Sequence, residues 1–139
     1  MTLLLGMLAV GTAMPVWATP GTWVGQLPRQ TVVVSQRPLE GAPIQPPEFM
    51  AAAEIVRVHW EFHLDKPAPR LKAWLCQGEL CLPLVRSRGE TQRFSGRPAS
   101  IPFHLRFQQS PGKDAVGSLV VSGGQLIVDY RSGADKQRK

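Results

Sequence analysis

The 139-residue chain has only two cysteines and one tyrosine, and aromatic residues make up 7% of it. Two cysteines are too few for a scaffold built on several disulfides, and a zinc site on them needs further Cys or His at ligand spacing. No apolar run reaches the ~20 residues that a membrane-spanning helix needs. There is no internal repeat, no Gly-rich loop leading from a strand into a helix, and no Gly-x-Ser-x-Gly elbow, so dinucleotide-binding and serine-hydrolase signatures are missing. Acidic side chains are also scarce: 10 Asp and Glu against 16 Lys and Arg, a formal net charge of +6. Acid–base catalysis needs paired carboxylates. Of those present, only Glu61 and Asp129 fall in clear strand patterns, and Asp129 shares its strand face with Arg131, which predicts an ion pair. These absences describe a protein that is not an enzyme and takes no cofactor.

What is present starts at the amino terminus. Positions 3–16 are nearly all apolar, Pro15 interrupts the end of the run, and Val16-Trp17-Ala18 is a small-x-small cleavage pattern. Residues 1–18 therefore read as a secretory signal peptide cut after Ala18. All sixteen Lys and Arg follow it. The remainder divides into one domain, residues 19–131, and a basic tail, residues 132–139, expected to be disordered. An exported basic chain meets lipid phosphates, muramic carboxylates and acidic proteins rather than nucleic acid.

Within the domain the patterning is that of strands. "EIVRVHWEFHL" alternates, with Val56, Val58, Trp60, Phe62 and Leu64 on one face and Arg57, His59, Glu61 and His63 on the other. Such alternation predicts a sheet with one buried and one wet face. "GTWVGQ" and "TVVVSQ" form short strands around Pro28, and "IPFHLRF" turns Phe103, Leu105 and Phe107 inward. "RPLEGAPIQPPEF" carries four prolines and reads as an extended connection, while "FMAAAE" has room for one helical turn. "SLVVSGGQLIVDYR" is predicted to be a hairpin, with Gly123-Gly124 in a type I′ turn. The sum is an all-β protein: a small antiparallel sandwich, or a partly open barrel, of about eight or nine short strands.

The two cysteines, Cys76 and Cys81, stand in "AWLCQGELCLPL". A redox pair is expected as Cys-x-x-Cys at a helix start, and a zinc site needs further ligands at suitable spacing. A hairpin with the four-residue turn "QGEL", containing Gly78, brings the two face to face across the ladder, within disulfide reach. Closing so short a loop stabilises the fold by about 2 kcal/mol.

The candidate sites are few. His59, Glu61 and His63 share a strand face, but His59 and His63 lie roughly 13 Å apart along an extended chain and cannot chelate one ion together. No metal site is expected. His104 sits on the outward face of its strand with no Ser or Cys paired to it, and Trp60 belongs to the core. Trp74 falls opposite Leu71, Ala73 and Leu75, where it either covers the disulfide or stands exposed as a binding aromatic. "RSRGETQRFSGRPAS" sets Arg86, Arg88, Arg93 and Arg97 around a predicted turn at Gly89. Together with Trp74, these arginines are the candidate partner-binding residues.

"GTW", "HWEFHL", "RLKAWLCQGELC", "FSGRPA", "HLRF" and "LIVDYR" occur in this order across nearly the whole exported part. In this the chain resembles the FlhE family, small exported flagellar proteins of Gram-negative bacteria. The resemblance implies a periplasmic, non-enzymatic, β-rich protein linked to swarming. It also implies a chaperone-like, gatekeeping role toward rod, hook or export-apparatus proteins, limiting both premature assembly in the periplasm and proton leak through the export apparatus. The alternative is a periplasmic module that binds peptidoglycan, with Trp74 and the same arginines directed at muramic carboxylates.

Overall fold

The computed structural model of the chain describes residues 11, 19–48, 50 and 52–132. The expected signal peptide, residues 1–18, lies outside the described residues apart from Gly11, and so does the expected tail apart from Ser132. So do Phe49 and Ala51 of the predicted helical turn, whose described neighbours carry no helix. No helix among the described residues is long and apolar enough to cross a membrane.

Among the described residues, nine strands form two antiparallel sheets: β1 (Thr19–Gln26), β2 (Gln30–Val33), β3 (Leu39–Glu40), β4 (Ala53–Leu64), β5 (Leu71–Gln77), β6 (Leu80–Leu84), β7 (Arg88–Thr91), β8 (Phe103–Gln109) and β9 (Ser118–Ser132). One sheet runs β1-β9-β4-β7, with β2 also paired to β9, and the other runs β3-β8-β5-β6. No barrel closes. Alternation puts Val58, Trp60 and Phe62 of β4, and Phe103, Leu105 and Phe107 of β8, into the shared core. There the Phe62 and Phe107 rings meet edge to face at 5.5 Å, and Phe94 meets Phe103 at 5.3 Å.

The expected hairpin at Gly123-Gly124 does not form. β9 runs straight through these residues, and His63 faces Ser122 while Glu61 faces Gln125, so both glycines stand against Phe62 alone. This is a β-bulge, with Gly123 at φ 60°. It shifts the strand's phase: Leu119 and Val121 are buried before it, Leu126 and Val128 after it. A second irregularity between Ile55 and Arg57 does the same for β4. Ile55 is buried there, and Val56, expected inside, is not. Gly89 is likewise no turn, since it lies within β7 opposite Trp60.

The cysteine hairpin does form, with its turn shorter than expected. Gln77 pairs with Leu80 inside the ladder, leaving two loop residues, Gly78 and Glu79. Gly78 has φ 58° and Glu79 no positive φ, as a type II′ turn requires. Cys76 faces Cys81, and they form a disulfide with their Cα atoms 4.0 Å apart.

Candidate functional site

The wet face of the first sheet gathers the charges that the sequence left open. His59 on β4 lies between two carboxylates, 3.4 Å from Glu90 on β7 and 3.1 Å from Asp129 on β9. Asp129 also accepts a 2.8 Å hydrogen bond from the Thr22 hydroxyl on β1, so its partners are His59 and Thr22 rather than the expected Arg131. Glu61 accepts a 2.7 Å hydrogen bond from Arg88 and has His63 at 3.6 Å. The Arg88 hydrogen bond is the main cause holding the Glu61 carboxyl below its ordinary range, and it raises Arg88 in turn. On the second sheet, His104 and Arg106 share Glu40, at 2.8 and 2.5 Å. Each of these carboxylates is engaged by a histidine, an arginine or a hydroxyl on a neighbouring strand. Among the described residues, no three His, Cys, Asp or Glu side chains converge on a point where a metal ion could sit.

The structure uses the five candidate partner-binding residues differently: Trp74 lies on β5 of the second sheet, and the four arginines lie along the chain that carries β7 of the first. The chain leaves β6, crosses to the other sheet as β7 and continues to Ala99, covering the flank where both sheets end. Arg86 and Arg93 are exposed on this flank and make no ion pair among the described residues. Arg88 is engaged with Glu61. Arg97 is turned into the fold: its Nε donates to Gln77 Oε1 at 2.8 Å and its Nη2 to the Gln77 carbonyl at 3.2 Å. The Gln77 side chain, fully buried, donates onward to the carbonyls of Pro98 and Ile101. Arg97 is thus a clamp between the disulfide hairpin and the crossover.

Trp74 is half-buried, in register with Pro83 on β6 and Arg106 on β8. It lines a shallow groove of about 330 Å³ with Leu71, Lys72, Pro83, Leu84 and Val85. Val85 was missed in the sequence, although it is 93% exposed at the start of the basic crossover. Its signal was available: it continues the alternation beyond Leu84 and is followed directly by Arg86. The groove and flank together offer apolar contact beside unpaired positive charge. That chemistry can hold an acidic polypeptide or a glycan carboxylate.

The model of the family described as "Flagellar protein FlhE" matches residues 32–131, most of the chain. A solved structure described as "Crystal Structure of FLHE" superposes with a TM-score of 0.71 at 23% identity, covering 80% of this chain and 96% of that one. At that identity the likeness speaks for the fold. No curated protein matches the sequence. The fold and the extent of the family match agree with the ordered motifs read from the sequence, and the chain belongs to the FlhE family of flagellar proteins.

Proposed function

We propose that this protein is a periplasmic accessory of the flagellum, exported by cleavage after Ala18, which binds flagellar proteins without catalysis. In this reading it holds rod or hook components, or parts of the export apparatus, apart from premature contacts. Proton leak is limited by the same gatekeeping, and swarming depends on it. The observation that carries the reading is the family match over residues 32–131. The Cys76–Cys81 disulfide supports it, because such a bond persists in an oxidising compartment. Exposed Arg86, which follows Val85 of the Trp74 groove, and exposed Arg93 beyond the far end of β7 suit acidic partners.

A second reading rests on Trp74 itself, a half-buried indole beside Lys72 in an open groove, where a sugar ring can stack while a muramic carboxylate meets the cation. One experiment separates the two. The exported protein is purified and offered rod and hook subunits in parallel with isolated cell-wall sacculi, at low and high salt. Salt-sensitive retention of a rod or hook subunit is expected. Retention on sacculi alone replaces the chaperone reading with wall binding.

A further inference from the structure

A sandwich of two open sheets leaves four edge regions, and here they are far from equivalent. β3 has only two residues, and the irregular chain on either side of it meets β8 through single hydrogen bonds from Ser35, Gly41 and Ile44. β7 has four residues. Beyond its ends the backbone of β4 is met by Ser87 on one side and by Gly96, Arg97 and Ala99 on the other. β6 carries Pro83 opposite Trp74. Since proline has no N–H, its position marks the alternate residues, Cys81 and Pro83, whose backbone points away from β5. That edge therefore offers a single outward N–H, that of Cys81, beside the carbonyls of Cys81 and Pro83, the usual blunting of an edge by proline.

β1 is different. It spans eight residues at the end of its sheet, and among the described residues no backbone group pairs with its free side. Its phase is fixed twice over. Pro20 has no N–H to give to β9, and Leu27, one residue past the strand, donates to the Gly124 carbonyl at 3.0 Å. Both place the odd-numbered residues toward β9 and turn the N–H and C=O of Thr22, Val24 and Gln26 outward. Thr22, Val24 and Gln26 are also exposed, Val24 by 53%. No charged side chain stands within β1. Arg131, in register with Pro20, lies at one end, and Arg29 lies just past the other; both are exposed, with no ion pair among the described residues.

We propose that β1 is a strand-acceptor edge, which takes an extended segment of another polypeptide as an added strand. The segment has uncharged residues over Thr22, Val24 and Gln26 and acidic side chains where it reaches Arg29 or Arg131. This rests on the partner-binding reading above and names where in the fold, and by what chemistry, a partner is held. Backbone hydrogen bonds supply affinity without demanding one sequence, as suits a protein that meets several exported subunits. A second copy of this chain fits the edge less well. A stable dimer buries about 1,200 Å² or more in total, whereas β1 offers Val24 as its one large exposed apolar side chain, and two copies bring the same arginine-flanked ends together.

The test uses the whole exported protein and reduced, carboxymethylated α-lactalbumin, an acidic and permanently unfolded probe, beside purified rod and hook subunits. Hydrogen exchange is expected to slow at the Thr22, Val24 and Gln26 amides when the probe is added, and to stay unchanged at Cys81. Val24→Pro removes one outward donor without touching the β9 ladder, and Val24→Lys leaves the backbone intact while placing a charge on the edge. Each is expected to weaken probe binding about tenfold or more with the thermal midpoint nearly kept. Binding that persists in both variants, or an absence of protection in β1 of the wild type, overturns the proposal. Protection of β1 that grows with protein concentration alone, with a dimer by light scattering, also overturns it, in favour of self-pairing. If rod and hook subunits are retained but β1 gains no protection, the edge proposal fails and the flagellar reading survives. If the unfolded probe binds β1 while no flagellar subunit is retained, the reverse holds.

Discussion

Gln77 is a polar side chain with no solvent exposure, and its position explains why Arg97 is not free for a partner. Its amide donates to Pro98 and Ile101 and accepts from Arg97, so one side chain ties the end of β5 to the 97–101 stretch. Replacing it by leucine keeps the volume but strands two carbonyls and a guanidinium. Each buried group left without a partner costs about 1–3 kcal/mol. Gln77→Leu is therefore expected to lower stability by roughly 2–4 kcal/mol in urea unfolding, with the cooperativity of the transition kept. The exposed pair on the other sheet behaves differently. Arg88 holds the Glu61 carboxyl below its ordinary value of 4.5. A depressed carboxylate adds stability above that ordinary value and loses it as the pH falls through the lower, folded one. In Arg88→Met the Glu61 titration, followed by carboxyl carbon NMR, is expected to move up toward 4.5, and this acid-side loss to flatten. A titration unchanged by the substitution removes Arg88 as the cause.

Elements were legible where one phase runs through them and obscure where the phase changes. β8 and the disulfide hairpin follow simple alternation, and both are where the sequence places them. β9 was split in two because Gly123-Gly124 satisfies a type I′ turn and a bulge equally well by composition. What decides between them is β4, whose Phe62 takes both glycines as its partner, a tertiary fact absent from the local sequence. The same holds for Val56 and for Gly89, whose neighbour across the ladder is Trp60. The two bulge glycines are not equivalent. A Cβ on Gly124 falls 2.6 Å from the Glu61 carbonyl oxygen and also strikes Leu27, whereas one on Gly123 meets the edge of the exposed His63 ring at 3.1 Å. Gly123→Ala is expected to cost about 1–2 kcal/mol for its left-handed backbone. Gly124→Ala is expected to cost more, on the order of 3 kcal/mol, because backbone cannot move aside as a surface ring can. Thermal unfolding of the pair checks the order. If alanine is better tolerated at Gly124, the bulge is not packed as described.

On the scale of the whole molecule, the sequence offers one run of four arginines, Arg86 to Arg97, and the fold divides that run by use. The sequence could name Arg86, Arg88, Arg93 and Arg97 together because they are near in the chain. It could not separate them, because Glu61 and Gln77, which claim Arg88 and Arg97, come from other strands. That division predicts two kinds of outcome from the same charge reversal. Arg86→Glu with Arg93→Glu changes the net charge of +6 by two units at each site and breaks no internal contact among the described residues. Encounter with an acidic partner is steered by such rim charges, so kon is expected to fall about tenfold at low salt while koff barely moves. The difference from wild type is expected to fade toward 1 M salt, where the Debye length is about 3 Å. Arg97→Glu instead sets a carboxylate against the Gln77 carbonyl and side-chain oxygens, so its defect is expected in the urea midpoint and to persist at high salt. Stopped-flow association and urea unfolding on the same proteins read both effects. If Arg97→Glu proves as stable as wild type and loses only salt-dependent binding, Arg97 belongs to the binding flank and its role as a clamp is wrong.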